Sequence, residues 1–93
     1  MTDLNLAGEL DIETIVAARR GLYELIDERP GQVVTVGLDQ LTFIDSTGLG
    51  LLVGALKKAR SAGGDVTFTR PRDELWRTFT VTGLDRALTF VDA

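Results

Sequence analysis

The sequence predicts an α/β domain: a mostly parallel β-sheet of about four strands packed against α-helices. Two observations carry this. Short alternating or β-branched runs (Leu4 to Leu6, Val33 to Val36, Val66 to Phe68, Leu88 to Phe90) are separated by segments whose apolar residues recur at three- and four-residue intervals. Strand and helix patterns therefore alternate as β-α-β-α-β-α-β, an order that implies crossover units and parallel strands. With 93 residues and no linker, repeat or low-complexity segment, residues 1–93 are expected to form a single domain.

Each element has its own signal. Leu4 and Leu6 alternate with Asp3 and Asn5 until Ala7-Gly8 breaks the pattern, which predicts a short strand with one buried face. Asp11 fits the N-cap of a helix whose apolar positions are Ile12, Ile15, Val16, Leu22, Leu25 and Ile26, and Pro30-Gly31 ends it. Val33-Val34-Thr35-Val36 suits a central strand in a sheet covered by helices, and Leu41 to Ile44 lead from it into a turn. Leu49, Leu52, Val53 and Leu56 form the buried stripe of a second helix. Gly50 and Gly54 lie elsewhere on that helix and weaken it by close to ~1 kcal/mol each relative to Ala, so close packing is expected beside them. Gly48 and Gly50 are both read as positions of close backbone approach. Lys57, Lys58 and Arg60 complement the negative end of the helix, which Gly63-Gly64 closes. Val66 and Phe68 mark the next strand. Pro71 opens a helix containing Leu75, Trp76 and Phe79, with Trp76 and Phe79 read as core, and it ends near Gly83. Leu88 and Phe90 predict a last short strand or an extended tail.

Composition excludes several function classes. The formal net charge is −4, and no basic cluster is longer than Lys57-Lys58. Nucleic acid and anionic membrane surfaces are thus poor partners, and a protein with a basic patch is a better one. There are no cysteines and no histidines. This removes disulfides, thiolate metal sites and every nucleophile–histidine arrangement, so neither cofactor nor metal is expected. No apolar run reaches membrane-spanning length and no signal peptide precedes the first strand, so a cytoplasmic location is expected.

One turn stands apart: Phe43-Ile44-Asp45-Ser46-Thr47-Gly48-Leu49-Gly50. A strand passes into a helix there, with a carboxylate and two hydroxyls at the helix's first residues. A helix N-terminus exposes unpaired N–H groups and a partial positive charge, so a phosphate on Ser46 would sit at a favourable place. Read plainly, Asp45 is an N-cap, and Ser46 and Thr47 are hydroxyls that satisfy backbone donors. Gly48 and Gly50 do not have nucleotide-loop spacing. A catalytic Ser46 would need a base, and Lys57 lies eleven residues on, ~16 Å along a helix. The chain is therefore read as a non-enzyme.

The pattern resembles the anti-sigma factor antagonist family, the bacterial branch of the STAS domain. The resemblance rests on Gly8-Glu9-Leu10-Asp11, the Phe43 to Gly50 octapeptide, Ala59-Arg60 with Gly63-Gly64, and Thr82-Gly83-Leu84, and it covers nearly the whole chain. It implies a protein-binding module. Unphosphorylated, the module would bind an anti-sigma factor that is also a serine kinase, and so free a sigma factor. The kinase would phosphorylate Ser46, with Thr47 a secondary acceptor, and a metal-dependent serine phosphatase would reverse this. The implied partner-binding set is Asp11, Asp45, Ser46, Thr47, Gly48 and Leu49. A non-switching STAS scaffold or small-ligand sensor is the alternative.

Two departures accompany the resemblance. Family members usually carry a further strand ahead of the one containing Leu4 and Leu6, and almost nothing precedes it here. The family's first strand is thus expected to be absent, trimmed away or replaced by pairing with a neighbouring molecule, and an exposed sheet edge favours a homodimer. Gly37 stands where the family has Asp or Asn, with Asp39 as the candidate replacement.

Overall fold

A computed structural model describes residues 1–92. The elements run β1 (Leu4–Leu10), α1 (Ile15–Glu28), β2 (Val33–Ile44), α2 (Ser46–Ser61), β3 (Asp65–Thr69), α3 (Asp73–Thr82), α4 (Leu84–Ala87) and β4 (Thr89–Val91). All strand pairs are parallel, and the sheet order β1-β2-β3-β4 follows the chain. The predicted α/β alternation is therefore present, with the four-residue α4 added after Gly83. Among the described residues no strand precedes Leu4, so β1 is an edge.

Right-handed crossovers between strands laid down in chain order put their helices on one face of the sheet. Burial follows that geometry. Val34, Val36, Val66 and Phe68 are 0–1 % exposed, whereas Thr35 and Thr67 are half-buried and Val33, Asn5 and Thr89 exposed. The β-branched run of β2 is consequently covered on one face only, not on both. On the open face, Thr35 and Thr67 share a hydroxyl hydrogen bond of 2.9 Å.

β2 is one strand of 12 residues rather than two pieces. Its register with β1 slips twice: Asn5 faces Gly37 but Ala7 faces Gln40, and Gly8 faces Leu41 but Glu9 faces Phe43. Each slip places an extra residue in β2. The buried residues therefore run Val34, Val36, Leu38, then Leu41 and Ile44, so the two-residue period stretches to three. Gly37 is buried because the Asn5 and Thr2 side chains occupy the space its Cβ would take. Asp39 accepts the Thr69 hydroxyl at 3.3 Å and its carbonyl accepts Arg72 Nε at 3.3 Å, so it ties β2 to the chain after β3.

The helices form the other layer. α1 buries Ile15, Leu22 and Ile26; Ile12 precedes it and is 73 % exposed, and Val16 is 59 % exposed, so neither belongs to the expected buried stripe. α2 buries Leu49, Leu52 and Leu56 as expected, and also Leu51, Ala55 and Ala59, because it meets both α1 and the sheet. Val53 is half-buried. A Cβ on Gly54 would lie 2.8 Å from the Tyr23 hydroxyl, whereas Gly50 is exposed with open space around it. Close approach explains Gly54 and not Gly50. α3 carries Phe79 into the core beside half-buried Trp76; Phe90 meets both rings edge-on, at centroid distances of 5.8 and 4.9 Å. Arg70 lies over the Trp76 ring at 4.1 Å. Among the described residues no helix is long and apolar enough to cross a membrane.

Candidate functional site

The Ser46 turn is built where β2 hands over to α2, at the carboxyl end of the sheet. Asp45 is the N-cap, with extended backbone (φ −110, ψ −174), and its Oδ1 accepts the Gly48 N–H at 3.0 Å. Its carbonyl accepts the Leu49 N–H at 3.0 Å, which starts the helix ladder. Capping thus satisfies the third amide of the helix. Among the described residues the amides and hydroxyls of Ser46 and Thr47 have no internal partner. Ser46 is exposed, while Thr47 and Asp45 are half-buried. The turn accordingly presents an alcohol together with two free N–H donors at the positive end of a 16-residue helix.

A second turn sits beside it. Leu10 and Ile44 are register partners, so Asp11 follows β1 where Asp45 follows β2. The Asp45 N–H donates to the Leu10 carbonyl at 3.2 Å. Gly48 packs against that junction: a Cβ there would lie 2.6 Å from the Leu10 oxygen and 2.8 Å from Ile44 Cγ1. Gly48 is required for close backbone approach, as its place in the signature suggests.

Asp11 is not the N-cap of α1. That position belongs to Thr14, whose side chain makes no capping bond. Asp11 Oδ1 instead accepts the Glu13 and Thr14 amides at 2.9 and 3.1 Å, closing a turn ahead of the helix, while the Thr14 hydroxyl donates back to the Glu9 carbonyl at 2.8 Å. The Thr14 N–H is the main cause that holds the Asp11 carboxyl below its ordinary value.

The structure brings Asp11, Asp45, Ser46 and Thr47 to one end of the sheet, half-buried or exposed. Gly48 and Leu49 are buried, Leu49 at 8 % exposure, so they support the turn from behind and offer a partner almost no surface. The partner-binding set read from the sequence left out exposed Ile12 and, within the signature itself, Phe43 at 47 % exposure and exposed Gly50. For Phe43 the signal was available, since alternation puts it opposite buried Ile44. Among the described residues no group of three or more histidine, cysteine or acidic side chains is placed to hold a metal ion.

A parallel α/β sheet with an exposed hydroxyl turn between a central strand and its following helix defines the class, and the chain belongs to it: the STAS domain family, whose model matches residues 1–93. Within it the chain falls among the anti-sigma factor antagonists. It is 35 % identical over 82 residues to the anti-sigma-B factor antagonist of Listeria monocytogenes, covering 88 % of this chain and 71 % of the relative. It is 33 % identical over 81 residues to the anti-sigma-B factor antagonist of Bacillus subtilis, covering 87 % and 72 %. A Thermotoga maritima protein described as an anti-sigma factor antagonist superposes with a TM-score of 0.82 at 26 % identity, covering all of this chain and 82 % of that one. Unphosphorylated SpoIIAA, also an anti-sigma factor antagonist, shares the fold at a TM-score of 0.70 and 21 % identity, covering 100 % and 83 %.

Proposed function

We propose that this chain is a phosphorylation-controlled anti-sigma factor antagonist, acting as one cytoplasmic domain, with Ser46 as the acceptor. Unmodified, it binds an anti-sigma factor that is also a serine kinase and frees the sigma factor. The surface it offers is Asp11, Asp45, Ser46 and Thr47. The kinase transfers phosphate from ATP to the Ser46 hydroxyl, and a serine phosphatase removes it. The observation that carries this reading is the exposed Ser46 hydroxyl, free of internal partners, beside two unpaired N–H groups.

The electrostatics favour release over refolding. A phosphate adds about −1.5 to −2 charge at neutral pH. The start of α2 stabilises it in place by up to ~2 kcal/mol, and the free Ser46 and Thr47 amides are donors within the same turn. The domain therefore accommodates the modification locally. A docked partner must desolvate the new dianion next to the Asp45 carboxylate, and that cost falls on the interface. Relatives of the same fold support the idea, since the Bacillus cell fate determinant SpoIIAA is known in a phosphorylated form.

The chain itself works by binding. Ser46 Oγ has no hydrogen-bonded base among the described residues, and the nearest lysine along α2 is Lys57, ~16 Å away at 1.5 Å rise per residue. The test is mass spectrometry after incubation with ATP, alone and with a serine-kinase anti-sigma factor encoded in the same genome. Phosphate should appear on Ser46 only when the kinase is present. Self-modification, or modification confined to another residue, contradicts the reading.

A further inference from the structure

Gly50 is the residue of the signature that the fold itself does not explain. Every other glycine of the chain except Gly21 has either a positive φ or an atom within 3.0 Å of the place its Cβ would take. Gly50 has neither, and it is exposed with open space around it. It also lies inside α2, where glycine is a poor helix former because its backbone loses the most freedom on folding. The helix alone would gain from an ordinary side chain at this position.

What distinguishes the position is its relation to Ser46. Residues four apart on a helix share a face, with their Cβ atoms about 5–6 Å apart. Helical side chains lean toward the N-terminus, so each covers the turn that precedes it. A side chain at position 50 would therefore lie over Ser46, which is exposed and whose hydroxyl has no internal partner among the described residues. Leu49, the neighbour three residues on, is buried and points away from solvent. Position 50 is thus the place from which α2 could screen the alcohol, and it carries no side chain.

We infer that Gly50 is a specificity-determining residue for phosphotransfer: its missing side chain leaves the Ser46 hydroxyl open to the active site of a serine kinase. The inference rests on Ser46 being the acceptor. In the transfer, Ser46 Oγ bonds to the γ-phosphorus of ATP, the bond from that phosphorus to ADP breaks, and the hydroxyl proton passes to a base on the kinase. Attack needs the oxygen within about 3–3.5 Å of the phosphorus and in line with the departing ADP, so the kinase must close around the alcohol. Glycine keeps that approach clear while weakening the helix. A side chain added there should therefore move stability and phosphorylation in opposite directions.

The test compares the wild type, Gly50→Ala, Gly50→Gln and Gly21→Ala as substrates of the serine-kinase anti-sigma factor encoded in the same genome. Mass spectrometry reads the modified site, and the urea midpoint reads stability. Gly21→Ala is the control, an exposed helical glycine of α1 with equally open space. Both alanine variants should raise the midpoint. The kcat/KM for Ser46 should be unchanged in Gly21→Ala, and should fall about threefold in Gly50→Ala and about a hundredfold in Gly50→Gln, the scale expected when the approach is displaced by about 1 Å. Wild-type rates in both Gly50 variants overturn the inference and leave Ser46 as the acceptor. A loss of rate that accompanies a lowered midpoint also overturns it, because a disturbed helix is then the cause. Absence of phosphate from Ser46 in the wild type refutes the acceptor reading, and this inference with it.

Discussion

The Leu10 carbonyl accepts the Asp45 N–H at 3.2 Å while lying where a Cβ on Gly48 would come within 2.6 Å of it. One oxygen therefore fixes both the entry to α2 and the residue that follows the two hydroxyls. The position of Ser46 relative to Asp11 depends on this junction, and it can be challenged directly.

Gly48→Ala forces a Cβ against backbone that cannot move without pulling on β1. Overpacking of this kind costs about 1–3 kcal/mol, which outweighs the ~1 kcal/mol that Ala gains over Gly in a helix. Urea unfolding should show a net loss of stability. A gain would mean that the junction is looser than described.

Gly50→Ala is the matched control. Gly50 is exposed, helical and has open space at its Cβ position. The substitution should stabilise the fold by about 0.5–1 kcal/mol through helix propensity. If it destabilises the protein in the absence of any partner, the surroundings of α2 are wrong.

Asp45→Ala removes the acceptor of the Gly48 N–H. Loss of an N-cap costs about 0.5–2 kcal/mol. The same change should expose the first turn of α2 to hydrogen exchange ahead of global unfolding. Unchanged stability and exchange would rule out a capping role.

Acid should destabilise the fold through two named carboxylates. Asp3 accepts the Thr35 N–H and Arg29, and Asp11 accepts the Thr14 and Glu13 amides; both are held below the ordinary 3.8, first by the Thr35 and Thr14 bonds respectively. A lowered folded-state pKa gives stability that is present above the unfolded value and lost as pH falls through the folded one. Stability should therefore decline below about pH 4, and Asp3→Asn with Asp11→Asn should flatten that decline. An equally steep decline in the double variant would assign it to other groups.

Much of this was legible in the chain. The crossover order, the Ser46 turn, the core leucines of α2 and the aromatic α3 follow from periodicity and punctuation alone. What escaped has physical causes. The register slips in β2 stretch its period beyond two, so the stretch from Gly37 to Gln40 carries no alternation that would assign it to the strand. Asp11 has the residue type of an N-cap, but its acceptor serves a turn of its own, and only the distances to Glu13 and Thr14 separate the two. Val33 to Val36 look doubly buried because β-branched residues suit either environment, and the strand order decides which face helices cover. Gly48 and Leu49 carry the signature yet lie beneath the surface, since a motif records what builds a turn as well as what a partner touches.

The central claim is that charge on Ser46 decides docking. The most direct measurement is the calorimetric affinity of the unmodified, Ser46-phosphorylated, Ser46→Ala and Ser46→Asp proteins for the serine-kinase anti-sigma factor. The account predicts that the unmodified and Ser46→Ala forms bind alike, while the phosphorylated and Ser46→Asp forms bind far more weakly. Equal affinity for all four would contradict it and leave Ser46 as a structural helix start.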